Sequence, residues 1–154
     1  SSFEKSAPRS MTLECFAEQI GDGVVVFQGG PKPRVHTINH AAARILGYDS
    51  PTRMLGAIKT FGDLLAPPED AEPVDLPMVL KICERTYRGV SLDAILVRNP
   101  HSPANAVEGD TVAAELSISA WQGASGLYTA VFRDVSREKL YRRKDELLAF
   151  LSHE

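Results

Sequence analysis

Residues 112–121 read Val-Ala-Ala-Glu-Leu-Ser-Ile-Ser-Ala-Trp, and their alternation decides the fold. Val112, Ala114, Leu116, Ile118 and Ala120 take one parity, and Ala113, Glu115, Ser117, Ser119 and Trp121 the other. A period of two is the side-chain period of a strand, so the segment predicts one covered and one solvated face. A covered face needs partners. Downstream, Gly123 to Gly126 turns the chain and Leu127 to Val135 supplies the next strand. Upstream, Ser91 to Arg98 is another, joined through a polar stretch, Asn99 to Asp110, whose length is unusual for a hairpin link. Val24-Val25-Val26-Phe27 is a β-branched run and predicts a buried strand. Arg34 to Ile38 is its hairpin partner across Gly29-Gly30-Pro31.

Between and around the strands lie helical periodicities. Leu13, Phe16, Ala17 and Ile20 take the spacing i, i+3, i+4, i+7, a stripe so short that it must dock on something to persist. Asn39 is a good N-cap for the alanine-rich run His40 to Leu46, and Gly47 is placed to stop it. Leu76, Val79, Leu80, Cys83 and Tyr87 form one face of a helix that Asp75 can cap and Gly89 can end. Pro77 sits in its first turn, where a missing N–H costs little. Ser50 to Ala71 reads as irregular, with one helical turn at Phe61 to Leu65. The order is helix, two strands, helical middle, three strands and a final helix. A five-stranded antiparallel sheet with helices gathered on one face is an α+β domain.

The chain has 154 residues, 44% hydrophobic and 24% charged, which suits one domain with a modest core. Its net charge of −3 provides no basic field for nucleic-acid phosphates. Apolar runs are only a few residues long, so no membrane span is expected within these residues. Ser1 to Ser10 lacks the apolar core of a signal peptide and reads as a disordered lead. Cys15 and Cys83 lie far apart without a C-x-x-C partner, which argues against a zinc site and a disulfide framework. A reducing, cytoplasmic setting is the expectation, with any membrane anchor of the parent lying upstream.

Over residues 11–136 the pattern resembles the PAS family. The matching pieces are Asp22-Gly23-Val24-Val25-Val26, Ile38-Asn39-His40-Ala41-Ala42-Ala43-Arg44-Ile45-Leu46-Gly47-Tyr48, Phe61-Gly62-Asp63-Leu64-Leu65 with Pro67-Pro68-Glu69-Asp70 behind it, and Asp134-Val135-Ser136. The resemblance implies a PAS fold, flanked by an N-terminal amphipathic helix and a C-terminal signalling helix. It also implies that Asp134, Val135 and Ser136 pass strain from the sheet into the output helix, with Asp134 or Ser136 as its cap. In the family a cavity between the sheet and the middle helices takes small-molecule signals.

Residues 137–154 are strongly charged, with Leu140, Leu147, Leu148, Phe150 and Leu151 apolar. Leu140 and Leu147 fit position a with Phe150 at d, interrupted by Arg143. They also fit d with Leu151 at a, interrupted by Lys144. Two frames, each with a cation on the seam, predict a weak two-helix interface. Lys144 to Glu154, ending Phe-Leu-Ser-His-Glu, resembles the H box of sensor histidine kinases of two-component systems. That resemblance implies His153 as phosphoacceptor and Glu154 as the acid that orients the imidazole or acts as base. A neutral imidazole is a competent nucleophile near pH 7. The family's second dimerisation helix and ATP-binding domain are absent, so ATP is expected only in a full-length parent and this chain alone is expected to be inactive.

The partners implied are a second copy, in a parallel dimer through Leu13, Phe16, Ile20, Leu140, Leu147 and Phe150, and a response regulator served by the parent kinase. An unknown small-molecule ligand is a further partner the family allows, and a sensory or protein-docking module without a phosphoacceptor role is the alternative reading. Metal ligands are not expected, and no cofactor is firmly indicated. Haem-binding relatives use a histidine on the helix that here runs Asp75 to Arg88 and has none; His36, His40 and His101 lie elsewhere. The light-sensing flavin branch needs a cysteine in the first helix after strand two, and this chain has none there. Cys83 reads as a packed thiol, and Trp121 as either a flavin-lining residue or a strand-end anchor.

Overall fold

The computed structural model describes residues 21–136, apart from 68, 70, 71, 87, 124 and 125. Within them the order is β1 (Gly23–Gln28), β2 (Val35–Ile38), α1 (His40–Ile45), α2 (Pro51–Ala57), a 3₁₀ turn (Phe61–Leu64), α3 (Leu76–Thr86), β3 (Val90–Val97), α4 (Asn105–Glu108), β4 (Thr111–Ala120) and β5 (Leu127–Asp134). The five strands form one antiparallel sheet in the order β2-β1-β5-β4-β3. The first and last of these strands, β1 and β5, are therefore neighbours, with β5 at the sheet's centre. The expected N- and C-terminal helices lie outside the described residues.

The alternating segment behaves as its pattern demands. Val112, Ala114, Leu116 and Ile118 are all fully buried, in one core with Phe27, Phe61, Phe132, Met54, Leu64 and Leu96. α1 lies against β1, α2 against β2 and α3 against β4, so the helices share the face to which these side chains point. β1 differs from β4 in having no alternation. Val25 and Phe27 join the core, yet the outward-pointing Val24 and Val26 are also only 2% and 5% exposed. A continuous apolar run is what a strand covered on both faces requires.

Two connections depart from expectation. Ser50 to Ala57 is not irregular: Ser50 Oγ accepts the Arg53 N–H at 3.1 Å and Pro51 occupies the first turn of α2. A proline with its φ preset and no N–H to satisfy starts a helix as readily as it ends one. The long link between β3 and β4 is not an open loop either. It contains α4 and folds over Arg98, which is 7% exposed and donates from Nε to the Gly109 carbonyl and from Nη1 to Glu108. Asn99 joins this link to the end of α1, giving its N–H to the Leu46 carbonyl and Nδ2–H to that of Gly47. Those are orphan carbonyls of the helix C-terminus, so the link doubles as a cap. Gly47 takes φ +79°, and a side chain there would strike Ser102.

Candidate functional site

The site is best described from its two sides, the packed interior and the joint where the chain leaves the sheet. Phe27 is central to the interior. Its ring stacks on Phe61 at 4.4 Å and on Tyr128 at 5.6 Å between centroids. Tyr128 is nearly buried, and its hydroxyl donates to the carboxylate of Glu84 on α3. Burial first, and Glu84 second, push the Tyr128 phenol well above its ordinary value. The preceding residue, Cys83, turns inward and donates its S–H to the Ile118 carbonyl at 3.2 Å. Burial likewise raises its thiol, which makes it an unreactive packed group. Adjacent residues of α3 thus fasten that helix to two different strands, β4 and β5.

This arrangement bears on cofactors. Between the sheet and the helices, the stacked Phe27, Phe61 and Tyr128 rings occupy the core. Trp121 lies on the other side of the sheet, where Nε1–H donates to Thr129 Oγ1 at 2.6 Å. It is a strand-end anchor. His36, His40 and His101 are all exposed, and no group of three His, Cys, Asp or Glu suited to a metal occurs among the described residues. No helix among the described residues is long and apolar enough to cross a membrane.

At the end of β5 the backbone is fastened to β4 beyond the last ladder pair. Val135, 6% exposed, donates its N–H to the Ala113 carbonyl at 2.9 Å. Ala113 returns its own N–H to Ser136 Oγ at 3.2 Å. Asp134 Oδ1 accepts the Ser136 N–H at 2.9 Å. The roles of the three residues therefore separate: Asp134 satisfies the first N–H of the outgoing chain, Val135 anchors it apolarly, and Ser136 grips the neighbouring strand. Of the other residues singled out in the sequence, His153, Glu154, Leu13, Phe16, Ile20, Leu140, Leu147 and Phe150 lie outside the described residues.

The start of β1 is held in a matching way, by one side chain. Asn39 Oδ1 accepts the N–H of Ala42 at 2.8 Å, which caps α1, and that of Val24 at 2.9 Å. Its Nδ2 donates to the Asp22 carbonyl at 3.1 Å. The cap is legible in the sequence; the two bonds to β1 are not, because they depend on where the strand passes. Nor does periodicity reveal the Tyr128–Glu84 bond, which joins residues 44 apart.

Comparison with known proteins agrees with this geometry. A family profile described as "PAS domain" matches residues 12–79. A light-oxygen-voltage domain studied with a flavin analogue superposes with a TM-score of 0.58 at 19% identity, covering 88% of this chain and 94% of that one. An RNA-binding light-oxygen-voltage receptor gives 0.53 at 18% identity, over 86% of this chain and 33% of that one. The PAS domain of an HTR-like protein from Haloarcula marismortui gives 0.50 at 17% identity, over 82% and 97%. No curated protein matches. The chain has the PAS fold: a five-stranded antiparallel sheet with its helices on one face.

Proposed function

We propose that this chain is the signal-sensing and dimerisation region of a cytoplasmic two-component sensor histidine kinase, in which a PAS input controls phosphorylation of His153. The observation that supports the reading most is the joint at Asp134, Val135 and Ser136. It fixes the outgoing chain to two strands at once, and the sequence that follows ends in Phe-Leu-Ser-His-Glu. A stiff joint at this position turns a change in the sheet into a change in the direction of the outgoing segment. On this reading the segment pairs with a second copy through Leu140, Leu147 and Phe150, helped by Leu13, Phe16 and Ile20. His153 then takes a phosphoryl group from ATP held by the parent's catalytic domain, with Glu154 keeping the attacking nitrogen unprotonated. The phosphoryl group passes onward to a response regulator.

In the full-length parent, His153→Gln should abolish acid-labile incorporation of phosphate from labelled ATP. Incorporation that persists removes His153 from the mechanism. For the chain itself, equilibrium sedimentation should show a dimer that Leu147→Glu dissociates; a monomer at high concentration overturns the pairing. The second reading, a ligand-binding module without phosphoacceptor role, is favoured by likeness to a light-oxygen-voltage domain studied with a flavin analogue. A small molecule retained in native mass spectra, together with unaltered output after His153→Gln, would establish it.

A further inference from the structure

β3 forms one edge of the sheet, and the backbone pattern shows which groups that edge offers. Arg98, just past the strand, gives its N–H to the Asp110 carbonyl across the β3–β4 ladder. Residues of its parity, Val90 to Leu96, therefore bond toward β4, and the alternate ones turn N–H and C=O to the open side. Ile95 shows this directly, because its carbonyl accepts the Ala66 N–H at 2.9 Å. With the antiparallel bridge between Leu65 and Leu96, that bond makes Leu65-Ala66 a short strand added to the end of the edge. Continued in register, it would set Pro68 against Asp93, and proline has no N–H to give the Asp93 carbonyl. Ser91 and Asp93 are both exposed, and among the described residues nothing bonds their outward N–H and C=O groups.

The side chains of this open stretch are patterned as well. Val90 and Leu92 pack, partly buried, against the core, whereas Ser91 and Asp93 take the outer parity. Asp93 stands directly opposite Glu115 on β4. Like charges so placed destabilise a sheet. Arg133 reaches Glu115 at 3.1 Å, but Asp93 has no ion pair among the described residues. Protection of an edge from aggregation needs only a charge of either sign. An acid set against a second acid is a costly way to provide it, and the pair favours a cation brought from outside.

We propose that the Val90 to Asp93 half of this edge receives an added strand from a partner protein. The partner segment is extended and antiparallel to β3, with Lys or Arg opposite Asp93 and an apolar side chain opposite Leu92. Ser91 and Asp93 supply the backbone bonds, Val90 and Leu92 the apolar contact, and Asp93 beside Glu115 the choice of a basic segment. A second copy is disfavoured, because pairing β3 with itself would gather Asp93 and Glu115 of both copies on one outer face.

The probe is the peptide acetyl-Val-Lys-Leu-Lys-Val-amide, added to the chain as it is and followed by NMR. At about ten times its Kd it should slow exchange of the Ser91 and Asp93 amides about tenfold. Methyl groups on the two lysine backbone nitrogens, which would face β3, should abolish binding. A methyl on the leucine backbone nitrogen, which would face away, should not. Asp93→Asn should weaken the probe about two- to fivefold, the range of an exposed ion pair. Asp93→Lys should turn the preference to the same peptide with Glu in place of Lys. Unchanged exchange at Ser91 and Asp93 overturns the proposal. So does binding that survives methylation of the lysine nitrogens, since that is attraction of charge without an added strand. Protection that rises with protein concentration in the absence of peptide makes a second copy the occupant and overturns it as well. Neither ATP nor His153 enters these readouts, so the edge and the kinase reading stand or fall separately.

Discussion

Replacing Asn39 with alanine tests the strongest claim about what holds the start of the sheet to the helices. One side chain makes three hydrogen bonds there: to Ala42 N–H, Val24 N–H and the Asp22 carbonyl. Loss of the cap alone costs about 1 kcal/mol. The Val24 amide then loses its partner in a strand residue 2% exposed, where no water replaces it cheaply, adding about 1–2 kcal/mol. The expected total is about 2–3 kcal/mol. In urea this lowers the midpoint by about 1–2 M, at unchanged slope because the exposed surface is the same. Asn39→Asp separates the contributions. It keeps both acceptor bonds, gains from a negative charge at a helix N-terminus by about 0.3–1 kcal/mol, and loses only the donor to Asp22. It should therefore cost less than half as much as alanine. A loss below about 0.5 kcal/mol for alanine, or an equal loss for aspartate, would refute the assignment of Asn39 as a tie between α1 and β1.

Four further outcomes follow from the same geometry. Phe27→Ala removes the ring on which Phe61 and Tyr128 stack and should cost about 3–5 kcal/mol in chemical unfolding. Gly23→Ala places a methyl against the ring of Phe132 and should cost about 1–3 kcal/mol, with the Phe132 ring resonances displaced in NMR spectra. Tyr128→Phe loses the bond to Glu84 and should cost about 1 kcal/mol at neutral pH. The phenol's value is raised on folding, so its contribution is present below about pH 10 and is lost as pH rises above it; the gap between parent and variant should close over that range. Cys83, buried with a raised thiol, should react with a thiol reagent only at the rate of opening, so that denaturant accelerates labelling in step with unfolding.

How much of this the sequence reveals depends on the distance over which each feature is determined. The parity of residues 112–121 places four of their side chains in the core, because strand period and burial are local. Asn39 and Asp75 act as caps for the same reason, bonding Ala42 and Met78 three residues on. Ser50-Pro51 carried a legible helix start that the neighbouring prolines obscure. Asn105 to Glu108 lacks hydrophobic periodicity, and forms α4 only because Arg98 and Asn99 gather the link beneath it. The site features that escape sequence reading are all long-range pairings. Tyr128 with Glu84, Asn39 with Val24 and Arg133 with Glu115 require the strand order β2-β1-β5-β4-β3, which puts the two ends of the chain's fold side by side.

On the proposed sensory reading, that strand order also limits what kind of motion the joint transmits. β5 pairs with β1 from Leu127 to Phe132 and with β4 from Tyr128 to Asp134, so it has partners on both edges. Sliding it by one residue would exchange Phe132 and Ala130 for Arg133 and Val131 on the core face, burying a guanidinium. A lengthwise shift of the strand is thereby excluded as a signal. Change of twist is not, because it keeps the register while rotating the ends. The largest rotation falls at the strand termini, where Asp134, Val135 and Ser136 bind the outgoing chain to β4. On that reading, a signal carried as twist acts on the polar ties at that end and not on the apolar stack of Phe27, Phe61 and Tyr128. The outgoing segment should respond to perturbation of the sheet by reorientation about Val135, with the Ala113 to Ser136 bonds the first to exchange.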